Sequence, residues 1–149
     1  MSGDNQDVYF KRFFQGPQHK EMTEILKQKK ECLGAFIEAL IDKYKIDSYD
    51  LVGINATFSI VPGLAFFKYI KKRNEQCITV MGGSGVKENM GEVLMKYFPH
   101  VDYICSGYGL AAFPTFVNNI IKKNTPEALN QIDGIYSKTN IGTVKQNGA

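Results

Sequence analysis

Three times along this chain a short apolar run ends in small or hydroxyl-bearing residues and gives way to a stretch of helical period. "YDLVGIN" (49–55) leads into "ATFSIVPGLAFFKYIKKR". "CITVM" (77–81) leads into "GGSG" and then "ENMGEVLMKYF" (88–98). "DYICS" (102–106) leads into "GYG" and then "LAAFPTFVNNIIKK" (110–123). A helix between successive strands carries the chain back to the edge where it started, so such strands lie parallel. The expectation is an α/β fold in three layers, with parallel strands near 50–55, 77–81, 102–106 and 133–137. Crossovers should be right-handed, with helices on both faces.

Local signals agree with this outline. Between about 20 and 45, Met22, Ile25, Leu26, Leu33, Phe36, Ile37, Leu40, Ile41 and Tyr44 recur at three and four, as one face of a long helix does. Ser59 is placed to cap the next helix, Pro62 falls in its first turn, and Lys71, Lys72 and Arg73 suit its negative end. Pro114 is near enough to its helix start to be tolerated. "DGIYSK" (133–138) and "GTVKQ" (142–146) flank "TNIG" as a C-terminal hairpin would. Residues 1–18, with their aromatic cluster "VYFKRFF", are expected to be irregular, which leaves 19–149 as the domain.

Composition narrows the function. The 149 residues suit one core. A net charge of +3 is too small to argue for nucleic acid, and the lysines of "LKQKK" (26–30) sit between Glu24 and Glu31 as on a solvated helix face. No apolar run approaches the roughly 20 residues of a membrane span. "MSGDNQDVYF" has no signal-peptide character, so a cytoplasmic location is expected. Cys32, Cys77 and Cys105 are odd in number and far apart, which favours buried free thiols over a disulfide framework or a metal site.

In parallel sheets ligands bind beyond the carboxyl ends of the strands. The segments at that edge are "NATFS" (55–59), "GGSG" (82–85) and "SGYG" (106–109), all small or hydroxyl-bearing. Glycines there keep side chains out of a crevice. The spacing fits neither G-x-G-x-x-G nor a P-loop, and no acidic residue is placed to hold a ribose, which argues against an NAD- or SAM-binding enzyme. No G-x-S-x-G elbow occurs. His19 and His100 lie away from the glycine loops, and Asp50 and Asp102 open strands at the other edge, where they suit turn capping. No catalytic constellation assembles, and by its own residues the chain reads as a binding module.

The stretch from "YDLVGINATFS" to "GYGLAAFPTFVNNI" resembles the cobalamin-binding domain at the N-terminus of cobalamin-dependent radical SAM enzymes, most of all the branch that matures ribosomally made peptides (RiPPs). The resemblance spans about 30–148 and is most specific in "GG…MGEVLMKYFPHVDYICSG". It implies a Rossmann-like (flavodoxin-like) domain that holds cobalamin at the carboxyl edge of a mainly parallel sheet, with the nucleotide tail along the glycine loops. Carried onto this chain, Thr57 and Ser59 would line one side and Gly82, Gly83 and Ser84 the floor, while Ser106, Gly107, Tyr108 and Gly109 would complete the site.

This chain departs from that family in four ways. It has no Asp-x-His-x-x-Gly, so a bound cobalamin would have no histidine ligand. Its turn is Gly107-Tyr108-Gly109-Leu110 where the family has Gly-Glu-Gly-Glu. The Cys-x-x-x-Cys-x-x-Cys triad is absent, so no iron–sulfur cluster or radical chemistry is expected of this chain alone. Nothing matches the family's first strand, which would leave the flank of 50–55 unpaired and open to a second copy or to "VYFKRFF". The expected partners are therefore a second copy, a radical SAM enzyme or a precursor peptide, with no nucleic acid or membrane. Two functions stand: a cobalamin-binding module without its own catalysis, or a cofactor-free interaction and dimerisation module that partners a peptide-maturation enzyme.

Overall fold

The structure is a computed structural model that describes residues 12, 17–87 and 89–140, with the side chains of 17–20 left aside. The chain divides into two compact units, Met1–Lys43 and Tyr44–Ala149. Helix α1, Pro17–Tyr44, supplies most of what is described of the first. Of its expected apolar face, Ile37 and Ile41 are buried, whereas Met22, Ile25, Leu33, Phe36 and Tyr44 are exposed. "VYFKRFF", apart from Arg12, and the expected strand 142–146 lie outside the described residues.

The second unit carries a four-stranded sheet in the order β1-β2-β3-β4, with β1 Leu51–Asn55, β2 Ile78–Gly82, β3 Tyr103–Cys105 and β4 Ile135–Ser137. Its helices are α2 Ile60–Arg73, α3 Asn89–Tyr97, α4 Gly109–Ile121 and α5 Pro126–Asn130. β1, β2 and β3 are parallel, as the alternation requires.

β4 runs the other way, with Cys105 opposite Ile135 and Tyr103 opposite Ser137. This corrects the expectation of a parallel strand at 133–137. Its cause is the connection, in which α4 takes the chain to the amino ends of the strands. α5 and residues 131–134 then bring it back, and Ser106 N–H donates to the Gly134 carbonyl at 2.8 Å. β4 therefore starts beside the end of β3.

Strand alternation sends side chains to both faces. On one face Ile54 and Met81 meet α2, where a Cβ on Gly63 would lie 3.0 Å from the Met81 methyl, and Ile104 meets Gly91 of α3. On the other, Val80, Cys105, Ala112, Phe116, Leu129 and Ile135 form one buried cluster against α4 and α5. The Tyr103 and Phe116 rings pack at 4.9 Å, tilted by 59°. The fold is thus an α/β sheet covered on both faces, consistent with a Rossmann-like domain. Among the described residues no helix is long and apolar enough to cross a membrane.

Pro62 and Lys71–Arg73 stand in the first and last turns of α2 as expected. Ser59 differs. It occupies the N-cap without capping, and its hydroxyl donates to the Asn55 carbonyl at 3.2 Å instead.

Candidate functional site: a glycine-lined cleft

The carboxyl ends of β1, β2 and β3 surround a cleft of about 400 Å3. Its strand floor is Gly53, Ile54, Asn55, Val80, Gly82, Gly83 and Cys105, and Gly107, Gly109 and Phe113 close the α4 side. Among the described residues no charged side chain lines it. The polar groups it offers are backbone amides, the Asn55 side chain and the Cys105 thiol, whose pKa burial pushes up so that the neutral form is favoured.

The glycines at this edge have two separate physical reasons. Gly83 has φ +100°, and a Cβ there would collide with Asn55 Oδ1 and crowd the Ala56 and Thr57 nitrogens at 3.1 and 3.2 Å. A Cβ on Gly85 would strike the Ala56 carbonyl. Both make room for the loop after β1. At Gly82 a Cβ would meet only Cys105, at 3.4 and 3.5 Å, and at Gly109 only Phe113 and Cys105, at 3.7 and 3.8 Å. The chain itself tolerates a side chain at these two positions, and what a Cβ there would fill is the cleft.

The structure brings Gly82, Gly83, Gly107 and Gly109 together in the cleft lining. Thr57, Ser59, Ser84, Ser106 and Tyr108 are not among the lining residues. Thr57 Oγ1 donates to Asn55 Oδ1 at 2.8 Å. Ser84 opens a 3-10 turn, and Ser106 is buried, sharing a hydrogen bond with Tyr136. Tyr108 is exposed, with Lys87 Nζ 5.5 Å from its ring centre. Six lining residues are not among the expected site residues: Gly53, Ile54, Asn55, Val80, Cys105 and Phe113. A glycine in mid-strand, and an aromatic one helical turn after Gly109, were the available signals.

A larger groove of about 1220 Å3 lies at the opposite ends of the strands. Two of its charges, Asp102 and Lys71, serve the fold. Asp102 Oδ2 accepts from Thr79 N–H at 2.8 Å and meets Lys71 Nζ at 2.6 Å, tying β2, β3 and α2 together. His100 lies beside this cluster, its carbonyl accepting from Thr79 Oγ1. Among the described residues no group of three or more His, Cys, Asp or Glu could hold a metal. The three cysteines are free and separate.

No family model matches the chain. A tRNA-2-methylthio-N(6)-dimethylallyladenosine synthase of Clostridium botulinum (strain Hall) is 32% identical over 72 residues, 48% of this chain and 16% of the relative. The same synthase from strains ATCC 19397 and Langeland matches to the same extent. The chain thus spans about a sixth of the length of these curated relatives. What it carries is a distant, partial similarity to a radical SAM enzyme.

Proposed function

We propose that the chain is a cobalamin-binding module, related to cobalamin-dependent radical SAM peptide-maturation enzymes and without catalysis of its own. The observation that carries this reading is the neutral cleft at the carboxyl ends of the strands, kept open by Gly82 and Gly109 where the fold needs no glycine. Its roughly 400 Å3 falls within the ~300–1,000 Å3 of small-molecule sites and suits the flat nucleotide end of the ligand rather than the whole macrocycle.

Gly53, Gly82 and Gly109 would let the ligand approach the backbone, Asn55 would offer an amide, and Phe113 would provide an apolar wall. Among the described residues the cleft presents no imidazole, so the cobalt would take no histidine ligand from them. A bound cobalamin supplies a cobalt–carbon bond able to carry a methyl group; this chain's part is to hold and orient it for a partner such as a radical SAM enzyme or its precursor peptide.

The test is to mix the protein with hydroxocobalamin, desalt it and record the absorbance spectrum. Retained cobalamin, with a spectrum free of histidine coordination, is the expected result. A protein that emerges colourless sinks this reading.

One observation favours a second reading, the cofactor-free interaction module. Phe58 is 99% and Leu110 90% exposed, in the segments that follow β1 and β3. Apolar side chains so placed suit a protein partner. A colourless protein that still co-purifies with a peptide-maturation enzyme, and loses it on Phe58→Ser and Leu110→Ser, would establish this reading in place of the first.

A further inference from the structure

β1 ends the sheet. It pairs with β2 on one flank, and among the described residues no strand pairs with the other. The Asp50 carbonyl accepts from Ile78 N–H at 2.8 Å, and Ala56 N–H donates to the Gly82 carbonyl at 2.6 Å. Residues 50, 52, 54 and 56 therefore turn their backbone groups toward β2. Leu51, Gly53 and Asn55, in alternation, turn theirs outward. Within β1 itself this row of donors and acceptors lacks the usual protection of an edge. "LVGIN" has no lysine, proline or charge, its register with β2 is unbroken, and Gly53 and Asn55 are exposed.

We infer that this flank is filled by β1 of a second copy of the chain, antiparallel, with Gly53 on the two-fold axis. In an antiparallel ladder, residues that exchange both hydrogen bonds face each other in alternation. Centring on Gly53 sets it opposite Gly53 of the second copy and sets Leu51 opposite Asn55 of the second copy. These are the outward-turned residues, so the ladder meets every outward group on both strands. The Asn55 carbonyl, which already accepts from Ser59, keeps its second lone pair for the ladder. A shift of two residues either way would leave an end unpaired.

The same register sets Asp50 opposite Ala56 of the second copy, so the two Asp50 carboxylates stand at opposite ends and no like charges meet. The strand thus accepts its own reversed copy with every outward backbone group paired and no like charges opposed. Phe113 supports the axis: its ring edge lies 4.0 Å from where a Cβ on Gly53 would be, giving the glycine pair apolar cover. The pairing uses the outer flank of β1 and does not depend on what the cleft binds.

The test is the mass of the full chain by light scattering across micromolar concentrations, with hydrogen exchange at the amides of Leu51, Gly53 and Asn55. A dimer with slow exchange at all three is expected. Gly53→Pro removes the N–H at the axis and leaves every bond to β2, so it should halve the mass while the far-UV spectrum stays unchanged. A monomeric wild type overturns the inference, including one with slow exchange, which would mean that the same chain fills the flank. A dimer whose three amides exchange as fast as exposed ones overturns it too, as does a folded Gly53→Pro that stays dimeric. Should Gly53→Pro not fold, mass and exchange in the wild type decide the matter.

Discussion

The side-chain oxygen of Asn55 sits where a Cβ on residue 83 would have to go. Gly83, at φ +100°, therefore seats the end of β2 against the loop that leaves β1. Gly83→Ala should lower stability by at least the ~1–3 kcal/mol of a strained backbone. Gly82→Ala meets only ordinary contacts and should stay within about 1 kcal/mol of wild type. Urea titrations of the two variants check the contrast, and equal midpoints would refute it.

At Gly109 the same comparison turns to binding. Gly109→Val adds its methyls toward the cleft from the first residue of α4, where the nearest atoms are 3.7 and 3.8 Å from the new Cβ. Hydroxocobalamin affinity should fall at least about tenfold, roughly 1.4 kcal/mol, with the far-UV spectrum unchanged. Ser84→Ala, outside the cleft lining, should cost no more than the ~0.5–1.5 kcal/mol of one neutral hydrogen bond. Equilibrium dialysis measures both. Equal affinity for wild type and Gly109→Val would separate the ligand from this cleft.

Much of this was legible in the sequence, because a run such as "CITVM" before "GGSG" fixes a strand, its exit and the helix that must follow. The direction of β4 was not. "GIYS" reads the same either way, and only the short helix α5 decides which end the chain enters from. The glycines were visible as gaps, but sequence does not say what fills them. At 83 and 85 it is the β1 loop, whereas at 82 and 109 a Cβ would make only ordinary contacts beside the cleft. The hydroxyls of Thr57 and Ser59 were legible as polar groups at the ligand edge, yet a loop hydroxyl can equally satisfy its own chain, and both of these bond Asn55. Gly53 is hard to read as a site residue from sequence, because one glycine within "LVGIN" leaves the strand pattern intact.

His100 gives the fold a pH dependence with a definite sign. Burial lowers its pKa below the usual 6.5, and Lys68, Lys138 and Lys71 lower it further, with Asp102 opposing. The unfolded chain therefore binds the proton more readily. The stability this group contributes is present above pH 6.5 and is lost as pH falls from there toward the folded value. The residue is only partly buried, so the slope should be shallow. Urea midpoints should decline as pH drops through this window, and His100→Gln should flatten the decline. An unchanged slope in the variant would assign the effect elsewhere.

The three thiols should separate by reactivity, and one of them reports on the cleft. Cys32 is exposed on α1, whereas Cys77 and Cys105 are buried. Burial raises the pKa of both buried thiols; at Cys77 the nearby Lys71 opposes part of that rise, and at Cys105 burial acts alone. A thiol that is both covered and protonated is a poor nucleophile, because the thiolate is the reacting form. A maleimide should therefore label Cys32 quickly in the native protein and the other two only as the structure opens or in denaturant. Cys105 lines the cleft and Cys77 does not. Bound cobalamin should slow labelling of Cys105 while leaving Cys77 unchanged, as followed by peptide mass spectrometry over time. If Cys77 is slowed equally, the ligand acts by stabilising the whole fold and not by occupying the cleft. If Cys105 reacts as fast as Cys32 without ligand, α4 does not cover the end of β3, and the cleft as a binding site falls with it.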